Sequence, residues 1–87
     1  MEYDVTSLSP EQMELLAELE HIRWCRYHQF HNWRMGIPKN GARKDATLRI
    51  HKDLIPHDEL TEEEKEKDKD NIRMLLKLFA EGYTFLR

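Results

Sequence analysis

The chain has 87 residues, with 14 Lys and Arg against 17 Asp and Glu and a formal net charge of −3, which fits one small domain. Its single cysteine excludes an internal disulfide and points to a reducing compartment, so a cytoplasmic location is expected. The start "MEYDVTSLSPEQ" is acidic and polar, unlike a signal peptide, and the apolar runs are far too short for a membrane span, so no membrane contact is expected of this domain.

The first element opens at Ser9-Pro10-Glu11-Gln12. Ser9 suits the cap, Pro10 the first helical position, and Gln12 the position that closes a capping box. Leu8 and Met13 are placed for a hydrophobic staple across this start. The pattern predicts a helix over about residues 10–31. Leu15, Leu16, Leu19, Ile22 and Phe30 are its expected apolar positions, with Glu11, Glu14, Glu18 and Arg26 on the wet side. Its second half is rich in chemistry: "LEHIRWCRYHQFHNWRMG" packs three histidines, two tryptophans, three arginines and a cysteine into residues 19–36.

Residues 32–60 have no long period. Alternation in "TLRIH" predicts one short strand and "PHDEL" a single helical turn. A connection of this length in a compact domain is usually functional or carries its own short structure. Charge is uneven here. Eight of the 14 basic residues fall between Arg23 and Lys52 with Asp45 the only acid, whereas Asp58 to Asp70 holds eight acids and three lysines. Either the basic middle docks on the acidic last third or it meets an anionic ligand.

Thr61 opens the second helix as a cap, with Glu64 closing its box and a run of acids at the positive end of the dipole. "EEEKEKDKD" reads as a solvated face. Ile72, Leu75, Leu76 and Phe79 follow at helical spacing as a buried stripe, and Gly82 is a natural stop, which gives a helix over about 62–81. Tyr83, Phe85 and Leu86 are expected to fold back as an apolar tail. The predicted fold is mainly α: a two-helix hairpin packed on a long irregular central segment with at most short strands, as one domain over residues 1–87.

Four chemistries compete for the central residues. His21, Cys25 and His28 lie at i, i+4 and i+7 on one helix face, and imidazole and thiolate are good zinc ligands. Structural zinc, however, gathers four ligands from separate elements, and no fourth is placed by the sequence, so no metal is assigned. A catalytic Cys25 is disfavoured by its mid-helix position, away from the helix N-terminus or strained turn that stabilises a thiolate. No carboxylate pair or phosphate loop is present, and the chain is read as no enzyme and without a cofactor. Basic residues interleaved with Tyr27 and Trp33 suit phosphates and bases, but an acidic chain without a basic helical stripe makes a nucleic-acid partner the poorer reading. A small anion is the fourth. Trp24 and Trp33 offer flat faces, and Arg23, Arg34, Lys44, Arg49 and Lys52 offer charge. The bland alternative is that both tryptophans are core anchors.

Taken together, "EHIRW" (20–24), "NWRMG" (32–36) and "HKDLIPHDELTEEEKEKDKD" (51–70) resemble the RyR domain, the repeat found in tandem in ryanodine receptors and as single bacterial or phage copies. The resemblance covers about residues 15–83. Glu20, His21 and Trp24 match its first helical motif, and Trp33 and Gly36 its turn. Lys44 and Asp45 match a basic-acidic pair; His51, Leu54 and Pro56 the segment that follows; Leu60, Lys65 and Asp68 the second helix. Asn32 stands where glycine is usual, Lys52 where proline is, and His57 where an aromatic is; the loop "IPKNGAR" is slightly long.

The resemblance implies a helical hairpin on an irregular segment and a regulatory module without catalytic activity. In ryanodine receptors such a tandem pair is linked to adenine nucleotides. The expected function is therefore that of a sensor module for a nucleotide-like anion. Its candidate ligand residues are Trp24, Trp33, Arg34, Lys44, Asp45, Arg49 and His51; Glu20, His21, Gly36, Leu54 and Pro56 hold the scaffold, with Glu20 paired to Arg49 or Lys44. The alternative is a protein-interaction or structural module that meets a partner domain or a second copy. Five histidines suggest that ligand affinity varies near neutral pH, with His21 and His51 the groups to follow.

Overall fold

A computed structural model describes residues 8–85, with side chains over residues 8–81. Two long helices frame a small sheet. Helix α1 spans Pro10–Phe30; strands β1 (Arg34–Met35), β2 (Lys44–Asp45) and β3 (Ile50–His51) follow; helix α2 spans Glu62–Phe85. Single 3-10 turns at Lys39–Gly41 and His57–Glu59 link these pieces. The chain is thus mainly α, as the sequence predicts, and the central segment carries three short strands where the alternation in "TLRIH" predicts one.

The helix starts are local chemistry. Ser9 Oγ accepts from the Gln12 amide at 3.1 Å while Gln12 Oε1 accepts from the Ser9 amide at 2.9 Å, a reciprocal capping box. At α2 the Thr61 hydroxyl accepts from the Glu64 amide at 3.2 Å. Glu64 does not complete a box; its carboxylate turns to Arg43 and Lys67 instead. Helix α1 ends in a Schellman motif. The Trp33 amide reaches His28 O at 2.9 Å, the Asn32 amide reaches Gln29 O at 3.0 Å, and Asn32 takes φ 67°. Asparagine tolerates that conformation, so it serves where the RyR pattern has glycine. Helix α2 runs through Gly82 to Phe85 rather than stopping at residue 81, which places Tyr83 and Phe85 within the helix; Leu86 lies outside the described residues.

The sheet order is β1-β3-β2, with β1 parallel to β3 (Arg34↔Ile50, Met35↔His51) and β2 antiparallel to it (Lys44↔His51, Asp45↔Ile50). Asp45 Oδ1 accepts from the Thr47 and Leu48 amides at 2.9 and 3.1 Å and so builds the β2–β3 turn. Arg49 leaves that turn at φ 52°, and its guanidinium donates to His31 O at 2.6 Å, tying the turn to the end of α1.

The helices are antiparallel. Glu14 near the start of α1 meets Lys69 at 3.1 Å, and His21 lies beside Asp68. The core between them is Ala17, Leu54, Leu60 and Ile72 together with the buried imidazoles of His21, His51 and His57. The packing face of α1 is therefore Ala17, His21, Trp24 and His28, all buried or half-buried. Of the expected aliphatic positions Leu16 is half-buried, whereas Leu15, Leu19, Ile22 and Phe30 are on the outside. On α2, Ile72 is buried and Leu76 half-buried, whereas Leu75 and Phe79 are exposed, because the distal half of α2 extends past the start of α1.

Candidate functional site

The central segment is pinned across α1 by three rings. His21 Nε2–H donates to Ile55 O at 2.7 Å across 34 positions of sequence. The Trp24 ring stacks on His21 at 5.6 Å, meets His51 of β3 edge-on at 4.8 Å, and lies 4.2 Å from His28. One turn on, Trp33 meets His28 at 5.5 Å. His28 Nδ1–H donates to Trp24 O at 2.9 Å, and His51 Nδ1 accepts from the Asp53 amide at 3.1 Å. His21, His28 and His51 are tolerated here because a backbone group satisfies one ring nitrogen of each.

Between this aromatic wall and α2 lies a cleft of about 210 Å³. Its α1 and β3 side is His21, Trp24 and His51; its α2 side is Glu64, Lys67, Asp68 and Asn71; Arg43 and Asp53 close the mouth. Arg43 Nη2 and Lys67 Nζ each stand 3.4 Å from the same oxygen, Oε1 of Glu64. Both cations are about half-exposed, whereas Glu64 is mostly covered. Deeper in, Asp68 Oδ2 is buried, accepts no hydrogen bond from the described residues, and lies 3.9 Å from His21 Nδ1. Burial raises the Asp68 pKa above the usual carboxylate value, and the neighbouring His21 and His57 oppose the shift. His57 Nε2 is likewise buried without a hydrogen-bond partner among the described residues. Burial lowers the His51 pKa, which keeps its Nδ1 free to accept.

Of the seven ligand candidates from the sequence, Trp24 and His51 line this cleft. Trp33 packs on His28, Asp45 builds a turn and Arg49 ties that turn to α1. Lys44 is exposed on β2 and Arg34 on β1. The cations at the cleft are Arg43 and Lys67, neither of which the sequence singles out. Glu64, Lys67, Asp68 and Asn71 share one face of α2 at helical spacing, a period concealed by reading "EEEKEKDKD" as uniformly solvated. Glu20 pairs with neither Arg49 nor Lys44. It takes both Nε and Nη2 of Arg23, at 2.9 and 2.7 Å, one turn along its own helix, and that guanidinium holds its carboxyl below the usual range.

Cys25 Sγ sits 3.4 Å from His21 Nε2, and burial raises its pKa, so it is a thiol rather than a nucleophilic thiolate. Among the described residues no group of three or more His, Cys, Asp and Glu side chains is gathered to hold a metal ion. Nor is any helix among them long and apolar enough to cross a membrane.

No curated protein and no solved structure gives a significant match to this chain. The family model for the RyR domain matches residues 3–87, essentially the whole sequence, and the histidine and tryptophans that pin the central segment stand in the blocks that resemble it; the chain belongs to the RyR domain family.

Proposed function

We propose that this domain is a non-catalytic cytoplasmic sensor module that binds a small nucleotide-like anion in the cleft between α1, the sheet and α2. The observation that carries the reading is the convergence of Arg43 and Lys67 on one carboxylate oxygen at the mouth. Two cations aimed at a single oxyanion suit a phosphate that takes over the position of Glu64, the guanidinium by its fork and the ammonium as a point charge. Asp53, Glu64 and Asp68 also face the cleft, so a bare anion fits it poorly. A ligand whose other end carries polar N–H groups fits better, because Asp68 holds an unused acceptor there and Asn71 offers both a donor and an acceptor. Nucleotides combine these two ends with a flat ring to lie along Trp24 and His51.

The test is calorimetry and thermal shift with mono- and cyclic nucleotides, with inorganic phosphate as the anion-only control. A binder at a hundred times its Kd stabilises the domain by about 2.7 kcal/mol. Arg43→Ala and Lys67→Ala should each weaken binding about tenfold or more. Absence of stabilisation by every nucleotide at millimolar concentration would defeat the reading. The second reading, an interaction module, is favoured by the aliphatic outer face of α1, and it leads to a specific partner.

A further inference from the structure

Helix α1 carries two stripes on opposite sides. At about 100° per residue, Ala17, His21, Trp24 and His28 fall within one arc facing the core, and Glu11, Leu15, Leu19, Ile22 and Arg26 fall within an arc of about 80° directly opposite. On that outer face Leu15 is 57% exposed, Leu19 50% and Ile22 37%, whereas Ala17 on the inner face is 0% exposed. The acid and the base at the two ends of the outer stripe, Glu11 and Arg26, have no ion pair among the described residues; the surface ion pairs of this chain lie elsewhere. Beside Ile22 there is also a hollow of about 290 Å³ walled by Leu54, Ile55 and Pro56.

We infer that this stripe is the interface for a second copy of the chain, with the two α1 helices antiparallel about a twofold axis near Leu19. The order of residues along the stripe selects that partner. It reads acid, Leu, Leu, Ile, base, so reversing one copy sets Glu11 against Arg26, Leu15 against Ile22, and Leu19 beside its own mate. The Glu11–Arg26 and Leu15–Ile22 contacts each occur twice and the Leu19 self-contact lies on the axis, as an isologous interface requires. Leu15 of the second copy arrives beside Ile22, where the hollow lies. A parallel arrangement would set acid on acid and base on base, which disfavours it. The cleft lies on the opposite side of α1, so pairing leaves it open.

Sedimentation velocity across a concentration series tests this on the whole chain. A weak dimer is expected, with a Kd on the order of 10 µM to 1 mM for a patch of this size. Glu11→Arg and Arg26→Glu should each weaken it about tenfold, because each reversal acts at two symmetric places. The double variant, E11R with R26E, should restore the affinity to within about threefold of the parent, since the pairs re-form with exchanged sign. Leu19→Lys should give a monomer with an unchanged circular dichroism spectrum, as Leu19 is outside the core. A parent chain that stays monomeric to about 1 mM, single reversals without effect, or a double variant that fails to recover would each overturn the inference.

Discussion

Single residues in this domain are constrained chiefly by backbone geometry, and Gly36 is the sharpest case. It follows β1, and a Cβ built there would stand 2.8 Å from Ile50 Cβ and 2.9 Å from its Cγ2 on the neighbouring strand. Ile50 Cβ is fixed to the backbone, so the clash is relieved only by parting β1 from β3. Gly36→Ala is expected to cost about 1–3 kcal/mol in denaturant unfolding, the range for overpacking. Asn32 is the converse case, where conformation rather than space matters. At φ 67° it ends α1, and Asn32→Ala should cost about 1 kcal/mol through backbone strain alone, whereas Asn32→Gly should be close to neutral. The sequence shows both constraints in outline. "NWRMG" marks a turn, and asparagine and glycine are the residues that turns select. What it does not show is that Gly36 answers to Ile50, because that closeness exists only once two strands distant in sequence lie side by side.

At the scale of the helix, what is local is legible and what is assembled is not. The start of α1 follows from Ser9, Pro10 and Gln12, and Ser9→Ala should lower stability by about 1 kcal/mol as the cap is lost. The core face of α1 does not follow in the same way. Two stripes share the helix, and an aliphatic rule selects Leu15, Leu19 and Ile22, whereas the fold buries Ala17 and His21. Histidine can be buried here because the Ile55 carbonyl, which accepts a hydrogen bond from its Nε2–H, comes from a segment that the helix sequence cannot announce. The same holds for the cleft. Trp24 and His51 are legible as aromatic, but their partners on α2 are hidden in a run whose alternating charges resemble plain solvation. The inversion of faces has a direct consequence for mutation. Ala17→Leu, which forces bulk between the helices, should cost about 1–3 kcal/mol. Leu19→Ala, usually a severe change in a helix core, should alter the stability of the monomer by less than about 0.5 kcal/mol.

The molecule as a whole sets two buried groups against each other as pH changes. His51 has its pKa lowered below the ordinary 6.5, first by burial and further by His28 and Lys44, with Asp53 and Glu64 opposing. The unfolded chain therefore binds that proton more readily, so stability is full above pH 6.5 and falls as the pH drops below it. Asp68 has its pKa raised above 3.8, so here the folded chain binds the proton more readily. Its ionised form costs stability at neutral pH, and that cost is removed as the pH falls through its folded value toward 3.8. Asp68→Asn separates the two effects, because it keeps the shape and removes the carboxylate. The variant should unfold at a higher temperature than the parent at pH 7, with the gain shrinking in acid and absent below pH 3.8. In that variant the loss of stability between pH 6.5 and 4.5 belongs to His51, since Glu20, whose carboxyl Arg23 holds below 4.5, contributes a loss of its own only at lower pH. Thermal unfolding of both chains between pH 3.5 and 8 measures this. A gain for Asp68→Asn that persists unchanged at the acid end would mean that the carboxylate is not the group under strain. The cleft would then lose the buried acceptor on which its choice of an N–H-bearing ligand depends, since an aspartate at ease in the folded chain already has its partner.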